Sequence, residues 1–141
     1  MNRVLKCIAA GLLMLSPVHG TPAFAQDSGT IDALSDQVFA KLKAGNAKAL
    51  ITESIGKSPL LSNNSAGAQA LEAQIDTALK IYGRVSAYEL VKEDKIGTLF
   101  IRRYYVVQHE NLVTRWELNL AKLPSGWAVV YIGFDDQGRT W

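Results

Sequence analysis

The hydrophobic period of this chain of 141 residues changes once, at Gly83, and nothing else in the sequence narrows the fold as much. Before Gly83, apolar residues recur every three or four positions, the repeat of a helix face; after it, they alternate with polar ones, the repeat of a half-buried strand. Ile31, Leu34, Val38 and Leu42 mark a first helix. Thr30 is its expected N-cap, Lys41 and Lys43 suit its C-terminal dipole, and Gly45 is its expected left-handed stop. A second, short helix is expected over 47–54. A third is expected over 68–82, with Leu71, Ile75 and Leu79 at spacing four. The stretch 57–67 (KSPLLSNNSAG) carries Pro, Asn and Ser and reads as a loop. From Arg84 onward four runs fit strands, at about 84–93, 98–109, 112–122 and 127–135. Their short links favour antiparallel neighbours in a meander. The fold class is therefore α+β, with N-terminal helices packed on one face of a four-stranded antiparallel sheet.

Residues 1–25 have the grammar of a secretory signal peptide. Arg3 and Lys6 precede a compact apolar run (CIAAGLLML, residues 7–15), Pro17 and Gly20 follow, and Ala23-Phe24-Ala25 offers small residues for cleavage after Ala25. The apolar run is shorter than the roughly 20 residues that a membrane helix needs, so no stable membrane anchor is expected after cleavage. The mature chain is expected to be a single domain, 26–141, in the periplasm or outside the cell.

This cut changes the charge. The whole chain carries 15 Lys and Arg against 13 Asp and Glu, a formal +2. Loss of Arg3 and Lys6 leaves the mature chain neutral, which argues against nucleic acid as a partner. Cys7 and His19 go too, leaving no cysteine and one histidine, His109. A thiolate nucleophile and a metal site needing two imidazoles are thereby excluded, and no cofactor or metal is expected. His109 lies beside an expected turn at 110–111 and reads as an exposed turn residue.

A two-residue turn at Glu110-Asn111 pairs Tyr105 with Trp116, Tyr104 with Glu117 and Arg103 with Leu118. One face then holds Ile101, Tyr105, Val107, Leu112, Trp116, Leu118 and Leu120, joined by Val129 and Tyr131, and reads as core. Arg103 shares this face and fits it poorly; it must snorkel past the edge or be re-aimed by a bulge. The opposite face mixes aromatic and charged residues: Phe100, Arg102, Tyr104, Val106, Arg115, Glu117 and Asn119, with Val130, Ile132 and Phe134. Arg102, Tyr104, Arg115 and Glu117 are the candidate binding residues. They read either as a cross-strand ladder or as a clamp for a planar anion, since Arg binds carboxylates bidentately. Trp116, Trp127 and Trp141 read as core or interface anchors.

The helical run FAKLKAGNAKALI and the later stretches YGRVSAYELV, RRYYVVQHENLVTRWELNL and GWAVVYIGFDD resemble small secreted or periplasmic bacterial members of the nuclear transport factor 2-like (cystatin-like) superfamily. The resemblance implies a cone, with a curved sheet wrapped on the helices. Enzymes of that superfamily, isomerases and dehydratases among them, use an Asp or His base beside Tyr or acid donors. No His-Asp pair stands at such a spacing here, so no catalytic residue is carried over. The expected function is a non-catalytic periplasmic domain that binds a small-molecule ligand or a protein partner, or forms a homodimer through the open sheet face. The alternative is a small-molecule isomerase, dehydratase or hydrolase working through a Tyr104–Glu117 acid–base pair.

Overall fold

The computed structural model describes residues 23–55, 58 and 63–137, with side chains from Asp27 onward. Most of the expected leader, residues 1–22, lies outside the described residues, as does Trp141. Helix α1 (Ala23–Lys43) buries Ile31, Val38, Phe39 and Leu42 along one face, as the spacing predicts. It starts seven residues before Thr30, which is therefore inside the helix and not its N-cap. The Ala-Phe-Ala-Gln-Asp stretch ahead of Thr30 carries the helix on through Gly29, against the local Ser-Gly-Thr signal. The expected cut after Ala25 falls in the first turn of this helix.

The C-terminus of α1 closes as a Schellman motif. Gly45 adopts φ 69°; its N–H bonds to Leu42 O at 2.9 Å, and the Asn46 N–H bonds to Lys41 O at 3.1 Å. Asn46 then caps the next element, its side chain accepting from the Ala49 N–H at 2.9 Å. That element is a short α-helical turn, α2 (Ala47–Ala49), passing directly into a π-helical stretch, Leu50–Ile55. Helix α3 (Ser65–Tyr82) begins three residues earlier than expected, because Asn64 caps it by accepting from the Gly67 N–H at 2.9 Å.

Strands β1 (Val85–Ile96), β2 (Phe100–His109), β3 (Val113–Leu123) and β4 (Gly126–Asp135) form an antiparallel meander in the order β1-β2-β3-β4. The central register is the expected one, with Tyr105 opposite Trp116, Tyr104 opposite Glu117 and Arg103 opposite Leu118. The helices cover one face, where Ile101, Tyr105, Val107, Trp116, Leu118, Leu120 and Val129 are buried. Phe39 of α1 meets three strands there, with ring centroids 4.5 Å from Tyr88, 4.4 Å from Tyr105 and 6.3 Å from Trp116.

Two expected core positions are not core. Leu112 sits in the β2–β3 turn, beyond the helices, and is exposed. Tyr131 is exposed while Ile132 is buried, the reverse of the expectation. The cause is a register shift: Asn119 pairs with Tyr131 but Leu120 with Val129, so Val130 is an extra residue and the alternation of β4 inverts beyond it. Phe134 consequently turns inward and stacks on Trp116 at 4.8 Å.

Gly83 joins the helical and extended halves in a conformation that suits glycine alone, φ 86° and ψ −175°. A Cβ there would also lie 2.7 Å from Glu110 Cβ. Gly83→Ala should therefore lower stability by about 1–3 kcal/mol, read as a reduced midpoint in urea unfolding.

Candidate functional site

The four candidate residues lie on the open face of the sheet, opposite the helices. Register puts Arg102 and Tyr104 on β2 beside Glu117 and Arg115 on β3. Arg102 Nε stands 3.3 Å from Glu117 Oε1. Arg115 Nη2 is paired instead with Asp135 Oδ2 at 2.5 Å, across the β3–β4 ladder. Lys92 places its ammonium 5.5 Å from the centroid of the Tyr104 ring. Tyr104 and Arg115 share a shallow recess of about 470 Å3 with Val91, Lys92 and Val106. The four residues thus divide into one ion pair, Arg102–Glu117, the Tyr104 ring, and an arginine, Arg115, paired outside the set with Asp135, with no enclosed anion clamp. Val91, Ile96, Val113 and Tyr131 are large exposed apolar side chains on the sheet, and Phe100 and Val106 are half-buried on this face.

The inner face holds what the sequence reading missed. Arg103 neither snorkels out nor is re-aimed; it is 5% exposed and fully engaged. Its Nε donates to Glu93 Oε2 at 2.7 Å and its Nη1 to Ser35 Oγ at 3.2 Å. Its Nη2 stands 2.7 Å from Asp32 Oδ1. Burial alone would lower the Arg103 pKa, but the bonds to Asp32 and Glu93 outweigh it and hold the guanidinium charged above its ordinary value. Glu93 reaches this face because β1 carries an extra residue, Val91, between Leu90 and Lys92. That bulge is invisible to simple alternation. The legible signal was on α1, where Asp32 and Asp36 stand one turn apart. Tyr88 OH donates to Asp36 Oδ1 at 3.1 Å; burial first, and then this bond, raises the phenol pKa.

His109 is buried, not exposed at a turn. Strand β2 runs through it, and the turn beyond folds onto the end of α3, with the Asn111 N–H bonded to Tyr82 O at 2.9 Å. Its Nδ1 lies 3.1 Å from Gly83 O and its Nε2 3.0 Å from Thr114 Oγ1. A carbonyl only accepts, so Nδ1 carries the proton and Nε2 accepts from the Thr114 hydroxyl. Thr114 Oγ1 in turn accepts from Trp116 Nε1 at 2.9 Å. Every polar atom of this relay has a partner inside the protein, which fits a structural role.

At the wide end of the helix-covered face, between the start of α1 and the tips of the two outer hairpins, lies a cavity of about 350 Å3. Ile31, Leu99, Ile101 and Trp127 supply its apolar lining, and Arg103 and Glu93 its inner polar wall. Asp27 closes one side through Lys122, Nζ to Oδ2 at 2.8 Å. That bond holds the Asp27 carboxyl below its ordinary value of 3.8, and the nearby Trp127 indole N–H adds to the effect. The indole nitrogen is itself buried beside this carboxylate, short of full hydrogen-bonding geometry.

No family model matches the chain, and no curated protein matches it in sequence. Solved structures match it in fold. A Campylobacter jejuni protein, provisionally described as an NTF2-like transpeptidase, aligns at TM-score 0.54 and 18% identity, over 70% of this chain and 95% of its own. A domain of unknown function with a cystatin-like fold from Nostoc punctiforme aligns at TM-score 0.54 and 11% identity, over 79% of this chain and 78% of its own. An NTF-2-like protein of unknown function from Silicibacter pomeroyi aligns at TM-score 0.55 and 10% identity, over 79% and 97%.

Two tests follow from the inner face. Glu93 is 24% exposed and Asp32 61%, so the two partners of Arg103 should differ in weight. Glu93→Gln should cost about 2 kcal/mol, since it weakens a buried pair, and Asp32→Asn less than about 1 kcal/mol, both from urea unfolding. The Asp27 bond should hold α1 to the sheet above the ordinary carboxyl pKa of 3.8 and be lost as pH falls through the lowered folded value. Protection factors of the amides in the first turns of α1, which are corrected for the intrinsic pH dependence of exchange, should fall on acidification of the native protein and should be low already at neutral pH in Lys122→Met.

With its helices laid on a curved four-stranded antiparallel sheet, the chain has the NTF2-like, cystatin-like cone fold.

Proposed function

We propose that this chain is a non-catalytic periplasmic domain that acts by association, pairing with a second copy of itself through the open face of the sheet. One observation carries the reading: among the described residues no second layer covers that face, yet it leaves Val91, Ile96, Val113 and Tyr131 in water among paired charges. Exposed apolar groups of this kind within a polar frame are the ordinary anatomy of an interface. Lys92, Arg102 and Arg115 are nearly balanced by Glu89, Asp94, Glu117 and Asp135, so two copies brought face to face do not confront a field of one sign. Four strands of about ten residues present roughly 600 Å2, from ~4.8 Å between strands and ~3.3 Å per residue. Two copies would bury about 1,200 Å2, the low end of specific interfaces.

Binding is favoured over an acid–base pair at Tyr104 and Glu117 by the state of Glu117, which is held by Arg102 and left 31% exposed. A general base needs desolvation that this position lacks. The transpeptidase description of the Campylobacter protein stays with that protein. The periplasmic setting rests on the leader grammar of residues 1–25.

Size-exclusion chromatography with light scattering on the mature protein should show a dimer. Val106→Glu, in the middle of the face, should shift it to monomer with an unchanged circular dichroism spectrum. A strict monomer at high concentration overturns the reading.

A further inference from the structure

The start of α1 and the tips of the two outer hairpins share one end of the molecule. Lys122, near the end of β3, bonds through Nζ to Asp27 Oδ2 in α1 at 2.8 Å. Its backbone N–H bonds to Leu99 O, in the β1–β2 turn, at 2.8 Å. The β2–β3 turn lies at the other end, bonded to the end of α3.

The turns at the first end carry apolar side chains that stay in water. Leu99 is 62% exposed and Ile96, on the other side of the same turn, 53%. Pro124 is exposed at the β3–β4 tip. A turn is built by glycine and polar residues, here Gly97 at φ 61°, and gains nothing from a leucine left in water. The bond from Lys122 fixes the Leu99 backbone, so this apolar group is held in place at the rim.

Beside these groups stand two exposed ammoniums, each with a carboxylate: Lys95 lies 3.4 Å from Glu93 and Lys122 2.8 Å from Asp27. An ammonium has three donors and a carboxylate several lone pairs, so each partner keeps capacity for another bond. Paired charges of both signs around an apolar tip match a zwitterionic lipid headgroup. Its phosphate suits the lysines and its cationic amine the carboxylates. A surface of one sign finds as much repulsion as attraction here.

The path of the chain points the same way. Residues 1–22, with the apolar run 7–15, join α1 at Ala23, one turn before Asp27, and so attach at this end. On the leader reading, which this inference shares with the proposed function, that run lies in the membrane until the cut. The hairpin tips then face the bilayer from the moment of export.

We infer that this end of the cone, the two hairpin tips and the start of α1, docks reversibly on a zwitterionic bilayer surface, with Leu99 and Ile96 set among the headgroups. The lysines keep their ammoniums at the phosphate level while the apolar tip leaves water.

Flotation of the mature protein with phosphatidylcholine vesicles tests this. The protein should rise with the vesicles, should not be released by high salt, and should not require added phosphatidylglycerol. Leu99→Glu should weaken binding about tenfold, since it removes most of a leucine's burial. Leu99→Trp should bind at least as well as the native chain. Its added indole emission should move to the blue with vesicles, as the tip enters the interface. Ile81→Glu, at an equally exposed position (62%) at the other end of the molecule, should bind like the native chain. Absence of flotation overturns the inference, as does flotation that appears only with phosphatidylglycerol or survives Leu99→Glu. Leu99→Trp emission unmoved by vesicles, or weakening by Ile81→Glu equal to that by Leu99→Glu, overturns it too. Flotation measures docking without export, and Leu99 lies off the open face of the sheet. Its failure is therefore distinct from failure of the leader reading or of the dimer.

Discussion

Phe39 holds the two halves of this protein together. It is fully buried and lies against Tyr88, Tyr105 and Trp116, one aromatic from each of the first three strands. A helix laid on a sheet has to pack with its own apolar face on a surface that is already twisted. A single ring wedged among three others fixes the position of that contact. The polar contacts then fix its direction: Asp27, Asp32 and Asp36 of α1 reach Lys122, Arg103 and Tyr88 of the sheet. Hydrophobic contact supplies most of the energy, and the carboxylates along the helix select one way of lying down.

The legibility of this fold in the sequence followed the regularity of each element. The central β2–β3 pairing could be read because its turn has two residues and both strands alternate without interruption. The reading failed wherever a strand took in one extra residue. Val130 inverted the end of β4, which exchanged Tyr131 and Ile132, and Val91 brought Glu93 round to meet Arg103. A bulge costs little, leaves no composition signal, and moves every later side chain to the other face. His109 was misread for a different reason. Its place beside a turn implied water, but the turn is hydrogen-bonded to the end of α3 and His109 itself points inward, to Gly83 O and Thr114 Oγ1. Thr30 was outvoted by the helix formers before it. Arg102, Tyr104, Arg115 and Glu117 fall on the open side of the sheet as read, but the partner of Arg115, Asp135, lies on β4 beyond the point where alternation slips.

The two faces of the sheet carry different kinds of polarity. On the outer face, charges pair across neighbouring strands and leave apolar side chains between them. On the inner face, charges pair within the sheet and between the sheet and the helix, and Arg103 at their centre is withdrawn from solvent. The first arrangement makes a surface that can be covered without stripping any ion of its partner. The second makes a wall that stays neutral whatever lies against it.

The bulges have one more effect. In a meander, β1 and β4 are the two edges, and an edge strand offers unpaired N–H and C=O groups to any passing chain. Each edge here is interrupted, at Ser86 and Val91 in β1 and at Val130 in β4. The charged run Lys92-Glu93-Asp94-Lys95 occupies the far half of β1. A regular ladder cannot be extended past such breaks, so runaway edge-to-edge growth into fibres is blocked at both sides. The same insertions that hid the register from the sequence keep both edges of the sheet from serving as templates for a further strand.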